Sequence, residues 1–221
     1  MNVLVISAHM DDEILGPGGT IARHVAQGDV VTACIACKRA YDHKFDAAMV
    51  QQEKDACYRA AQVLGYTDIR FLDLRDELLD DRLLDVIVPL EEQVLSVKPA
   101  VVYTHHRGDS NQDHRAVFQA SMIACRGLSR HKVPRLLVYE VPSSTDIAPP
   151  FPEYAFQPNY YVNISAFLDR KIAAMKEYER ELKEFPHPRS PQGIEITAKK
   201  RGMEIGFQAA EAFMIVRDQW E

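Results

Sequence analysis

Nothing in this sequence is built for a membrane or for nucleic acid. No apolar run approaches the ~20 residues that a spanning helix needs. Basic residues do not cluster either: 26 Lys and Arg against 32 Asp and Glu leave a formal charge of -6, with no phosphate-binding face. No signal-peptide pattern precedes the first apolar run at Val3, so the cytoplasm is the expected location. Internal repeats and low-complexity segments are missing as well. Cysteine is scarce, and of the four residues only Cys34 and Cys37 form a C-x-x-C. The run Val30–Cys37 around them reads as a buried strand, in which residues three apart face opposite sides about 10 Å from each other. That separation is too wide for a disulfide, so core cysteines are expected there.

What is present is an alternation. The 221 residues suffice for one α/β domain with a full core. Short apolar runs at Val3–Ala8, Val30–Cys37, Ile69–Leu72, Ala100–Thr104 and Leu136–Val141 predict five strands. Between them, helical patterns cover Gly19–Gln27, about Asp46–Leu64, Leu83–Val97 and the neighbourhood of Arg115–Arg126, with a polar loop after the second strand. Strands separated by helices imply right-handed βαβ units and a parallel sheet covered on both faces. The expected fold class is therefore α/β, a Rossmann-like three-layer sandwich with a mostly parallel sheet. After residue 141 prolines punctuate the chain. An edge strand within Phe156–Ile164 and helices over Phe167–Phe185 and Glu195–Ala212 are expected to form a C-terminal helical cap. The chain thus reads as a single domain over 1–221, with a core at 1–141 and a cap at 142–221. Phe151, Tyr154, Phe156, Tyr160 and Tyr161 in the cap mark a candidate contact between subunits of a homo-oligomer.

Polar residues concentrate at two places. Directly after the first strand stands Ala8-His9-Met10-Asp11-Asp12-Glu13; after the fourth comes a loop with His105, His106, Arg107, Asp109, Asn111, Asp113, His114 and Arg115. In a sheet of order 3-2-1-4-5 these loops open the crevice at the topological switch point, so topology alone brings them together. Taken singly, each is as consistent with a solvated loop or a helix cap, Asp12 included. Together, two imidazoles and a carboxylate fit a three-ligand metal site with open positions. Gly16, Gly18 and Gly19 suggest a dinucleotide loop, but the acidic patch before them would repel a pyrophosphate. Close passage of the backbone beside the metal loop is the preferred explanation.

On these residues the chain resembles the PIG-L/LmbE-like deacetylase family, whose signature is a strand followed by A-H-P-D-D-E and a distal H-x-D-H. Supporting similarity lies in Phe71-Leu72-Asp73-Leu74-Arg75-Asp76 and in Gly202…Glu211-Ala212-Phe213. The resemblance implies a hydrolase that removes an N-acyl group from an amino sugar, using water activated by Zn2+ held by His9, Asp12 and His114, with Asp11 as general base. It implies a small-molecule N-acylated amino sugar as the partner. Other divalent transition metals also suit such a ligand set. Glu13 and Asp113 are expected to orient ligands or the loop, and Asp76 and Arg115 to touch substrate hydroxyls or to form structural ion pairs. Two departures stand out. Met10 replaces the family's proline, and Asn111 replaces the first histidine of the distal motif, which cannot transfer a proton. The proton for the leaving amine is then left to Asp11, to His106 or to a cap histidine. His187, between Pro186 and Pro188, is the favoured extra contact to substrate or intermediate. Rival functions are a metal-dependent amidase acting on a thiol or lipid conjugate, and a non-catalytic Rossmann-like module that binds a small molecule.

Overall fold

The computed structural model describes residues 1–38, 46–128 and 130–220. The core is a seven-stranded sheet in the order β3-β2-β1-β4-β5-β7-β6. Its five parallel strands are β1 (Asn2–Ser7), β2 (Val30–Cys37), β3 (Asp68–Leu74), β4 (Val101–His105) and β5 (Arg135–Tyr139). Helices α1 (Asp12–Leu15), α2 (Gly18–Ala26), α3 (Ala47–Leu64), α4 (Leu83–Val97) and α5 (Gln112–Ala124) connect them. Side chains alternate along each strand, so two cores form. Val3, Val5, Ala33 and Ile35 face α2, α3 and α6 (Leu168–Lys176), whereas Leu4, Ile6, Cys34 and Val102 face α4 and α5. Both faces are covered, as the α/β alternation predicts. The polar loop expected after β2 lies almost wholly outside the described residues.

The C-terminal region departs from a purely helical cap. Helix α6 is shorter than the Phe167–Phe185 pattern: the amides of Glu177 and Tyr178 return to the carbonyls of Ala174 and Met175, a tightened last turn. Likewise α7 (Pro191–Met203) stops well before Ala212, and Ala210–Asp218 is a strand, β7. Ala210-Glu211-Ala212-Phe213-Met214 carries strong helix formers, and local propensity misleads there. Two tertiary facts override it. The amides of Ile205 and Phe207 both return to the carbonyl of Gly202, and Gly206 takes φ +80°, which together break the helix. The strand that follows fills the gap between β5 and β6 (Tyr160–Asn163), antiparallel to both. Of the five cap aromatics, Phe151 and Tyr154 are exposed; Phe156, Tyr160 and Tyr161 are half-buried.

One polar knot secures this arrangement. Glu211 of β7 accepts from the amides of Gly19 and Thr20 at the start of α2, each at 2.7 Å, and from Lys171 Nζ at 2.6 Å. Lys171 also donates to the carbonyls of Leu15 and Gly16 at 2.9 and 2.8 Å. Burial of this pair is tolerable because every strong partner is met. The glycines serve contact: a Cβ on Gly16 would lie 2.3 Å from the Tyr139 ring, and one on Gly19 2.8 Å from Ile164. A carboxylate from the protein itself thus occupies the helix N-terminus where a dinucleotide would place its phosphates.

Replacing Glu211 with Ala strands a buried ammonium and two amide donors. Glu211→Ala should lose about 3–5 kcal/mol of stability, against a smaller loss for the paired Lys171→Met/Glu211→Leu chain. Urea unfolding followed by circular dichroism measures both.

Candidate metal centre

The candidate donors come from the turn after β1 and from α5, which follows β4, the neighbour of β1 in the sheet. His9 leaves β1 on a turn whose next residues begin α1, and Asp12 Oδ2 accepts the His9 amide at 2.8 Å. His114 enters from α5, whose first turn is capped by Asn111: its Oδ1 accepts from the amides of Asp113 and His114. The side-chain oxygen of Asn111 therefore holds in place the helix that carries His114.

Buried carboxylates then fix which ring nitrogens carry protons. His9 Nε2 donates to Asp76 at 2.9 Å and faces Asp113 at 3.3 Å, so Nδ1 is the nitrogen that a cation would meet once its proton is displaced. His114 Nδ1 lies 3.2 Å from Asp109, so its Nε2 stands in the same position. Asp109 is itself gripped by the hydroxyls of Ser144 and Thr145. Asp113 and Asp76 are anchored by the Glu77 amide, and Asp113 also by that of Leu79. Two ring nitrogens and the Asp12 carboxylate therefore converge. His9 Nδ1 to His114 Nε2 measures 3.2 Å, and Asp12 Oδ2 stands 3.3 Å from each. Ligands at 2.0–2.1 Å from a tetrahedral zinc are separated by about 3.3 Å, so this triangle matches one face of such a site.

The electrostatics agree that a cation belongs here. Burial opposes a charged imidazole, yet Asp12 and Asp109 lift His114 to about 9, and Asp113, Asp12 and Asp76 raise His9 well above its ordinary value despite burial. Burial likewise opposes ionisation of Asp12, but His114 and His105 hold its carboxyl well below the usual range. These residues fit a divalent ion by donor chemistry as well as by spacing, because a metal replaces the protons that the site otherwise attracts.

Asp11 is set apart from the triangle. Its φ of 107° is left-handed, a conformation worth about 1–3 kcal/mol of strain in a residue other than glycine. The amides of Ile14 and Leu15 hold its carbonyl, and its own amide reaches Glu13 Oε2 at 3.1 Å. Glu13 is buried and pushed up to about 8 by that burial, while the Tyr178 hydroxyl donates to it at 2.7 Å. The Asp11 carboxylate meets Arg189 at 3.0 Å, from the far side of the chain.

Other expected residues stand as follows. His106 is held at the Tyr154 carbonyl, 3.1 Å away, with its ring edge-on to Phe156. Arg115 braces the carbonyls of Asp109 and Ser110. His187 is partly buried, and its Nδ1 accepts from the Arg189 amide at 3.1 Å. All four cysteines are buried and unpaired by disulfides, but Cys37 joins His9, Asp76 and Asp113 in a second donor group; burial pushes its thiol up to about 11. Three more contributors stand here: the sequence placed His105 and Asp109 in the polar cluster without a role, and left Arg189 unnamed. His105 stacks on His114 with centroids 4.0 Å apart, and its Nε2 accepts the Ala8 amide; burial and then His114 push it down to about 4. Asp109 and Arg189 are the others. A buried Asp two places before the Asn cap was visible as part of the cluster, but nothing local signals Arg189.

With this geometry in view, comparison with known proteins sets the molecule among the N-deacetylases, hydrolases of amide bonds. The chain belongs to the PIG-L family: the family model described as GlcNAc-PI de-N-acetylase matches residues 4–125, which include both donor loops. The Escherichia coli K12 protein YaiS, described as an uncharacterized deacetylase, is 30% identical over 183 residues, covering 80% of this chain and 90% of YaiS. The diacetylchitobiose deacetylase of Thermococcus kodakarensis is 26% identical over 196 residues, 82% of this chain and 70% of its own. Among solved structures, the Pseudomonas putida 4-carboxy-2-hydroxymuconate hydratase GalB superposes with a TM-score of 0.78 at 21% identity, over 100% of this chain and 98% of its own. The same fold thus hosts a hydratase, and fold alone does not select the reaction.

Removing a ligand or its orienting carboxylate has a direct readout. His9→Ala, Asp12→Ala and His114→Ala should each lower metal affinity by about tenfold or more, Asp109→Ala by about 10–100-fold, and Cys34→Ala not at all. Metal content after dialysis decides; full retention in His114→Ala contradicts the ligand set.

Proposed function

We propose that this protein is a zinc-dependent N-deacetylase acting on an acetylated amino sugar or amino-sugar conjugate. The observation that carries this is the 3.2–3.3 Å triangle of His9, His114 and Asp12 donors with a separate, strained carboxylate beside it. Family membership and the deacetylases among the relatives support the choice of reaction. A divalent ion bound by those three residues would supply Lewis acidity for the attacking water and the amide carbonyl.

The chain's own groups do the rest. Asp11 accepts the proton of the attacking water and returns it to the nitrogen as the amine departs. Glu13 holds the Asp11 amide, and Asp76, Asp113 and Asp109 keep the imidazoles turned. His187 is the proposed donor to the intermediate. With Nδ1 accepting from the Arg189 amide, its neutral ring carries the proton on Nε2. Burial, then Arg189 and Lys183, lower its pKa, so near pH 7 it acts as a neutral hydrogen-bond donor and the transferred proton is the one Asp11 holds.

Asp11→Asn should keep fold and metal yet lose about 10²–10⁴-fold in turnover, the usual span for a general base. Acetate release from a panel of N-acetylated amino sugars and conjugates, thiol- and lipid-linked ones included, tests the substrate class. No acetate from any member by metal-loaded protein would overturn the proposal, with hydration of an unsaturated acid as the competing result. His187→Ala should cut turnover at least about tenfold with metal retained; unchanged turnover leaves the intermediate to other donors.

A further inference from the structure

We propose that Arg189 is a positioning residue that holds the Asp11 carboxylate off the ion, so that it serves as a base and not as a fourth ligand. The inference rests on the metal and base assignments above. Asp11 is next in sequence to a proposed ligand, is buried, and sits on a fixed backbone. Such a carboxylate beside a divalent cation ordinarily coordinates it, which would fill the open position that water needs. In this structure it stands outside the donor triangle, facing the guanidinium 3.0 Å away.

The arginine is itself built in. Its Nε donates to Ser143 Oγ at 2.7 Å, and its Nη1 meets Glu181 at 2.9 Å as well as Asp11. Two cap segments therefore clamp it. Its backbone is set by the turn before α7. Ser190 caps that helix through the Gly193 amide, and a Cβ on Gly193 would lie 2.5 Å from the Pro188 carbonyl oxygen, so turn and helix touch directly. Glu181 supplies a second anion, which keeps the guanidinium in place when Asp11 exchanges a proton. A planar, permanently charged fork suits this duty better than an ammonium, because it binds two carboxylates in fixed directions.

The test needs no turnover. Zinc affinity is measured by chelator competition in four chains: the natural one, Arg189→Gln, Asp11→Asn and the double variant. Arg189→Gln should bind zinc about tenfold more tightly as Asp11 swings onto the ion, and the gain should vanish in the Asp11→Asn background. A gain that persists there is the simple removal of a positive charge and overturns the proposal; no gain overturns it too. On an accepted substrate, Arg189→Gln should lower kcat by about 10²-fold with KM little changed, and Arg189→Lys should recover part of the loss. A raised KM with normal kcat would make Arg189 a substrate contact instead. Absence of any deacetylase activity, with the affinity cycle as expected, would remove the deacetylase assignment while leaving this pair standing.

Discussion

A single carboxylate, that of Glu211, determines how the two ends of the chain meet. It terminates the α2 helix dipole, neutralises the Lys171 ammonium and sits on the strand that joins β5 to β6. Lys171 in turn closes the carbonyls of Leu15 and Gly16, so the short α1 and the glycine bend after it have one permitted path. That path fixes where Asp11, Asp12 and Glu13 lie. A residue near the C-terminus thus governs the geometry of a motif at the N-terminus, through a buried ion pair with no unmet partner. Buried pairs of this kind add little net stability by themselves, but they penalise alternative arrangements heavily.

A second level of control operates inside the crevice. The metal donors are specified less by their own positions than by the carboxylates behind them. Asp76 and Asp113 choose the tautomer of His9, Asp109 that of His114, and backbone amides or hydroxyls choose the direction of each carboxylate. This chain of dependence ends in three donor atoms converging on one point, where they hold protons until a cation replaces them. Preorganisation here means that the donors are placed during folding, before any cation binds.

Much of this was legible in the residues. Five strands, the switch point and both donor loops follow from apolar runs and topology, because parallel strands buried on both faces leave an unbroken hydrophobic signature. The β7 strand was illegible because Ala210–Phe213 is buried on both faces and so shows no polar alternation, and Ala and Glu carry no strand preference. At the site, the residues pointed to two imidazoles and a carboxylate, and the resemblance singled out His9, Asp12 and His114. Arg189 could not, since its partner is 178 positions away and the turn carrying it resembles an ordinary helix entry. Asn111 illustrates the opposite case: its identity was plain, but its use as a cap appears only once the helix start is known.

The division of labour between halves of the chain has an evolutionary corollary. The three candidate metal donors lie between the end of β1 and the start of α1 or on α5, whereas Ser144, Tyr154, Glu181, His187 and Arg189 belong to the connection between β5 and α7. Exchanges in the 142–190 stretch would leave His9, Asp12 and His114 in place but alter the groups that hold Asp109 and Asp11, so the two halves are bound to change together.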